Sequence, residues 1–388
     1  MTARSAVIVG GGIGGLATAL GLSRIGWSAH VLERAPAVEA VGAGLSLWPN
    51  AMRALDALGV GDAVREVGVS TTTRGSLREP SGTWLRRVTA EDERIVAVHR
   101  ADLHRVLAAA LPDGVLRTGA EVTGVRECDV DVAVRFEHEG TADHLCGDVV
   151  VAADGIDSLV RRSLWRDTAE PVFRGRTVWR GVTEPGSVWP VEASITLGEG
   201  EQFGVVPIGG ERVYWFLVAN AEEGVRFGDE HKEVDRRVGH WHSPIPELVA
   251  ATPPAAVLHH DFRDLDPVGE YVSGRTVLLG DAAHAMLPEL GQGACQALED
   301  AVTLASCLGC EPDLSAALAA YDERRRPRTQ AMCRAARQNN ALNSADHGFR
   351  LGLVRFAARR LPDRAWRRLN SRWTRWTPPP LPAARRSV

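Results

Sequence analysis

Two patterns of apolar residues divide this chain. The first is a short unbroken run at Ala6–Val9, at Val149–Ala153 and again at Thr276–Leu279. Runs of this kind, largely β-branched and without polar interruption, are the mark of parallel strands covered on both faces. A helical stretch from Ile13 to about Ile25 follows the first run, and a second strand, Ser28–Leu32, follows the helix. Residues 6–32 therefore predict one strand–helix–strand unit. Another helix is expected after the third run, in "ACQALEDAVTLASCL" (residues 294–308). The second pattern is alternation, confined to residues 166–269 and seen in "RTVWRGVT", "EASITLGE" and "RVYWFLVAN". It predicts antiparallel strands joined by turns such as Gly209-Gly210. Period-2 alternation sets Trp179 and Gly181 on one face against Arg180, and Tyr214 and Phe216 against Trp215.

Glycines fill the first strand-to-helix turn. Gly10, Gly12 and Gly15 fall in the spacing G-x-G-x-x-G, with Ile13 and Gly14 inside it. Such a turn lets the backbone bend tightly, approach a pyrophosphate and pack its helix closely on the strand, while the helix N-terminus offers N–H groups to the anion. Glu33, followed by Arg34, closes the second strand about twenty residues on, where an acid accepts ribose hydroxyls. A carboxylate there repels a 2′-phosphate, so the unit suits FAD or NAD over NADP. The unit alone does not choose between those two.

Two more motifs narrow the choice. "DVVVAADGIDSLVR" (148–161) carries Asp154-Gly155 at a strand end, then Ser158 and Arg161. "RTVLLGDAAHAMLPELGQG" (275–293) carries Gly280-Asp281 at a strand end, then Pro288 and Gly291-Gln292-Gly293. The three motifs, in this order over residues 6 to about 330, resemble those of the single-component FAD-dependent aromatic hydroxylases of the para-hydroxybenzoate hydroxylase type. The segments "GAGLSLWPNAMRALDALG" (42–59), "HRADL" (99–103) and "WRG" (179–181) are closest to the salicylate- and 3-hydroxybenzoate-hydroxylase-like members.

The resemblance implies an α/β fold: a Rossmann-like FAD-binding domain, an inserted antiparallel-sheet substrate domain and a C-terminal helical segment. It assigns residues 1–75, 96–165 and 270–345 to the first, 76–95 and 166–269 to the second, and 346–388 to a basic helix and tail. It implies that Asp281 bonds the ribityl or ribose part of FAD and that Arg100 contacts the pyrophosphate region. Gly44 and Leu45 then lie by the isoalloxazine, Pro288 walls its oxygen-reactive face, and Gly291, Gln292, Gly293, Ala294 and Cys295 offer N–H groups to its pyrimidine edge. Asp154 and Arg161 take dual FAD and nicotinamide contacts. His284, inside "GDAAH", reads as a structural hydrogen-bonder. Trp48, Phe203, Val205, Pro207, Trp215 and Leu287 are the implied pocket residues; Arg180 is either a carboxylate or phenolate anchor or a strand-face ion pair. No residue is assigned as catalytic base.

The implied activity is an FAD-dependent monooxygenase that uses NADH or NADPH and O₂ to hydroxylate or epoxidise a small aromatic or polycyclic molecule through a flavin hydroperoxide, in natural-product biosynthesis or aromatic catabolism. Two alternatives share the fold: a dehydrogenase or reductase that inserts no oxygen, and a flavin halogenase. The halogenase needs a relay lysine and a W-x-W-x-I-P motif; the motif is absent, and Lys232, in the polar run "GDEHKEVDRR", is the chain's single lysine.

Charge and composition change little in this picture. A formal net charge of −4 gives no reason to expect nucleic acid. The cysteines, Cys307-x-x-Cys310 included, lack metal or disulfide spacing, which points to reduced thiols in the cytoplasm and no metal. Six glycines between Ala6 and Ile25 argue against a signal peptide, and no other stretch is long enough to span a membrane. A monomer or homodimer is expected. The last stretch is different: eleven arginines and one acid lie between Arg350 and Val388, around a stripe of Trp366, Leu369, Trp373 and Trp376. That stripe predicts a basic amphipathic helix that packs on the parent domain or binds a membrane or partner, before a disordered "TPPPLPAARRSV".

Overall fold

The computed structural model describes residues 4–37, 43–71, 76–87, 94–165, 170–344, 348–362, 365 and 371–382. Its first layer is a six-stranded sheet in the order Val272–Ser273, Thr276–Leu278, Val149–Ala152, Ser5–Val9, Ser28–Leu32, Leu116–Arg117. Every pair in it is parallel except the short hairpin at the Val272 edge. All three predicted apolar runs are here, side by side: Ile8 pairs with Val151, which pairs with Val277. Their side chains are fully buried because helix Ile13–Arg24 and a three-stranded sheet of Ala120–Glu127, Val132–His138 and Thr141–Gly147 pack on them. The ends of these strands therefore converge on one edge, where Gly10, Asp154 and Gly280 emerge together.

The alternating segments form a seven-stranded sheet in the order Leu258–Asp264, Val172–Val182, Arg212–Asn220, Glu201–Ile208, Ser194–Leu197, Leu77–Arg78, Trp84–Arg86. One face packs Trp179, Phe203, Trp215 and Leu217 against helices Glu230–Val238 and Ile245–Ala250. The other turns toward the first layer. No helix among the described residues is long and apolar enough to cross a membrane.

The C-terminal expectation needs correction. A helix spans Gly348–Arg360, but Trp373 lies in a turn and Trp376 outside any helix or strand, so the two do not form a helical stripe. Trp366 and Leu369 lie outside the described residues. The described part of the proline-rich segment, through Pro382, is not loose: Ser306 donates to the Pro380 carbonyl at 2.8 Å, and Pro382 lies against Gly309.

Candidate active site

A single cavity of about 1140 Å³ runs from the glycine turn to the inner face of the large sheet. Sites for drug-sized ligands measure roughly 300–1,000 Å³, so this space holds a dinucleotide together with a small substrate. Its cofactor half is built by the converging strand ends. Gly10 has φ +103°, and a Cβ there would meet the Ala153 carbonyl; a Cβ on Gly15 would strike the Gly10 carbonyl. Both positions demand glycine for packing. Gly12 differs: a Cβ would meet nothing within 4 Å, so its backbone faces open space where a phosphate can approach. Ile13, Gly14, Glu33, Arg34, Gly44, Leu45, Arg100 and Asp154 border the same cavity, as do Asp281, Pro288 and Gly291 to Ala294.

Glu33 has a structural task that the sequence did not reveal. Its carboxylate accepts the Gly11 N–H at 2.6 Å and the Ala35 N–H at 2.8 Å, pinning the glycine turn to the second strand. Each oxygen retains a lone pair for a ribose hydroxyl. At the far end of the cofactor half, Gly291 adopts φ +59° and the helix Gly293–Cys310 begins. Its first internal bond runs from Gln296 N–H to the Gln292 carbonyl, which leaves the N–H groups of Gly293, Ala294 and Cys295 open to an electron-rich ring edge.

Two expected cofactor contacts, Arg161 and Gly15, lie elsewhere. The Arg161 side chain is fully buried and donates to the carbonyls of Ala282 at 3.0 Å and Ile156 at 2.6 Å, so it braces the strand ends from behind; Arg162 borders the cavity in its place. Cys295 turns its thiol away, toward the carbonyls of Ser46 and Gly291, and burial pushes that thiol up to about 12. Gly15 lines no part of the cavity and serves packing alone.

The substrate half corrects more of the expectations. Trp48, Arg180 and Val205 border the cavity. Phe203, Pro207, Trp215 and Leu287 do not. Phe203 and Trp215 stack at 5.5 Å on the sheet's far face, and the Trp215 indole donates to Thr252 at 2.8 Å beneath the helices. Pro207 and Leu287 are buried among other side chains. The inner face instead presents Val178 and Arg180 from one strand, with Tyr214, Phe216 and Val218 from its neighbour. Register explains the grouping, because Arg180 pairs directly with Phe216, and paired residues share a face.

Tyr214 was not foreseen in the pocket. It is buried against Gly44, where a Cβ would collide with its ring, and its hydroxyl meets the Arg180 guanidinium. Burial pushes the phenol above its usual range, and Arg180 offsets only part of this, so at neutral pH Tyr214 holds its proton and can offer it to a ligand. Glu289 is the other unforeseen group. It borders the cavity beside Pro288, accepting from Arg176 and Asn343, each at 2.7 Å. Burial raises its carboxyl despite Arg176.

Behind the site lies a buried network. Arg325 donates to Asp300 and Glu299 at 2.6 Å each, and Asp300 also meets His284 Nε2 at 2.6 Å. His284 is buried and lines no part of the cavity, in keeping with a structural role. Asn50 and Gln296 both donate to Gln292 Oε1, at 3.0 and 3.1 Å, fixing the loop that borders the cavity.

The family model for the FAD binding domain matches residues 4–336. The chain belongs to this flavoprotein family. It is 42% identical over 328 residues to the aurachin C monooxygenase/isomerase of Stigmatella aurantiaca, covering 82% of this chain and 84% of that protein. It is 36% identical to the 3-amino-4-hydroxybenzoate 2-monooxygenase of Streptomyces cremeus, covering 85% of each. Among solved structures, Klebsiella pneumoniae HpxO complexed with FAD and uric acid superposes with a TM-score of 0.86 at 26% identity, over 95% of this chain and 96% of that one. The chain is an FAD-dependent monooxygenase, with NAD(P)H and O₂ as co-substrates, acting on an aromatic compound.

Proposed function

We propose that this enzyme oxygenates a flat aromatic ring, single or fused, that bears an anionic oxygen, anchored by Arg180 with Tyr214 donating beside it. The observation that carries this reading is the state of Arg180. It points into the cavity, half-buried, with no carboxylate in ion-pair range among the described residues. A half-buried guanidinium that, among the described residues, faces a protonated phenol and no carboxylate is a site for an anion. The Streptomyces cremeus relative fits this reading, since the aminohydroxybenzoate it oxygenates carries a carboxylate.

Bound FAD supplies the redox chemistry, accepting a hydride and activating O₂. The chain's own residues hold it: the backbone at Gly12 for the pyrophosphate, Glu33 for the adenosine ribose, Arg100 and Asp281 for the middle of the molecule, and Gly293 to Cys295 for the pyrimidine edge. Val178, Phe216 and Phe262 keep water from the ring. The division into a cofactor part (1–75, 96–165, 270–345) and a substrate part (76–95, 166–269) is supported by strands Leu77–Arg78 and Trp84–Arg86, which join the large sheet. Lys232 sits exposed beside Asp229 and off the cavity, which speaks against halogenation.

The decisive experiment uses labelled O₂. With NAD(P)H and its substrate the enzyme should give a product heavier by one oxygen, and that oxygen should carry the label. Unlabelled product, or turnover without O₂, identifies a dehydrogenase or reductase instead. Arg180→Gln should raise KM for an acidic substrate about ten- to a hundredfold with kcat little changed, because the anchor binds ground and transition states alike. An unaltered KM would remove Arg180 from the site.

A further inference from the structure

Residues 371–382 lie beyond the segment matched by the family model, yet they form a strap across the cofactor-binding layer. Backbone carbonyls hold the strap in place. Arg53 donates to the carbonyls of Trp376 at 2.7 Å and Thr374 at 2.5 Å, Arg328 to that of Trp373 at 2.9 Å, and Ser306 to that of Pro380 at 2.8 Å. None of these anchors uses a strap side chain. Two of those side chains, Arg372 and Trp373, border the large cavity.

The strap reaches the cavity at a defined place. Arg328, which holds Trp373, also donates to Glu299 Oε1 at 2.9 Å, and the same oxygen accepts from Asn50 at 2.7 Å. Asn50 in turn holds Gln292, and two residues before it Trp48 donates to the Gly291 carbonyl at 2.9 Å. Trp373 is thus tied to the turn and loop that border the cofactor half. The Arg372 guanidinium lies over the Trp373 ring, 4.2 Å from its centre, and no carboxylate is within ion-pair range of it among the described residues. A flat cation laid on an indole at a cavity wall presents both a charge and a stacking plane.

We propose that Arg372 and Trp373 form a recognition element for a planar aromatic ligand carrying a negative charge, so that a segment outside the family module helps decide what this enzyme binds. The proposal rests on reading the cavity as the active site. Two ligands share this chemistry: an anionic aromatic substrate and the nicotinamide dinucleotide with its pyrophosphate.

Arg372→Gln removes the charge and leaves every strap anchor in place. With FAD-loaded protein, flavin absorbance changes are titrated using 3-hydroxybenzoate and its uncharged analogue 3-hydroxybenzamide. The apparent Kd of NADH and of NADPH is taken from anaerobic flavin reduction. The variant should bind one charged probe about tenfold more weakly, the scale of one charge-assisted hydrogen bond. Binding of the amide and of FAD should stay unchanged, and Arg372→Lys should recover part of the loss. A weakened benzoate assigns the element to the substrate; a weakened dinucleotide assigns it to the reductant. The proposal fails if all charged probes stay within twofold of wild type, or if the amide weakens as much as the benzoate. If wild-type flavin responds to neither benzoate nor nicotinamide, the active-site reading fails and the proposal falls with it.

Discussion

Arg325→Met should remove a large share of this protein's stability at neutral pH. The guanidinium and both carboxylates it joins, Glu299 and Asp300, are shut off from solvent. Removing one member of a buried ion pair costs about 3–5 kcal/mol, because the other stays behind as an uncompensated charge. Domains of ordinary stability have about 5–15 kcal/mol in all. Arg328 and His284 still face the two acids in the variant, which holds the loss to that range. pH separates this account from simple loss of packing. In the native protein burial pushes Asp300 up, but His284 and Arg325 outweigh it and bring the carboxyl to about 2 from 3.8. A depressed carboxyl contributes stability that is complete above pH 3.8 and disappears as pH falls toward 2. By that shift the contribution is about 2 kcal/mol. Without Arg325, burial gains weight and the buried acids ionise less readily, so the variant's deficit should shrink between pH 7 and pH 4. Denaturant unfolding at both values measures it. A deficit independent of pH would mean that the side chain acts by volume alone.

Much of the cofactor half was legible because it depends on local rules. Short, unbroken β-branched runs bounded by turn residues fit buried strands, and glycines at fixed spacing report where backbone must pass backbone, as Gly10 and Gly15 do here. The substrate half failed at one point: which face of the large sheet covers the cavity. Alternation correctly set Trp215 against Tyr214 and Phe216, but both faces are apolar, one lining the cavity and the other lying under two helices. Period 2 separates faces without labelling them. The label was present in Arg180, since its cross-strand partner Phe216 must share its face, but register between strands thirty residues apart is not written in either strand. The strap was misread for a related reason. Its prolines lack donors and suggest disorder, yet the anchoring donors come from Arg53, Arg328 and Ser306, distant in sequence.

Asp281→Ala should yield folded protein that is nearly colourless. Gly280, at φ +61°, turns the chain out of the third parallel strand, and Asp281 follows as the first residue of a short helix. Its side chain is exposed to the cavity, and Oδ1 lies 4.0 Å from where a Cβ on Gly293 would stand. The carboxylate thus faces the helix N-terminus that meets the pyrimidine edge, within reach of the ribityl hydroxyls between that edge and the pyrophosphate. One charge-assisted hydrogen bond is worth about 1.5–3 kcal/mol, so the Kd for FAD should rise about ten- to more than a hundredfold. Because FAD binds only the folded chain, the variant as purified should also melt at lower temperature, and excess FAD should restore the difference. That restoration separates lost affinity from damaged folding. The ratio of flavin to protein absorbance, with fluorescence titration of the apoprotein, gives the result directly. Full flavin occupancy at wild-type affinity would take Asp281 out of the site, and a melting deficit that excess FAD does not repair would give it a structural role instead.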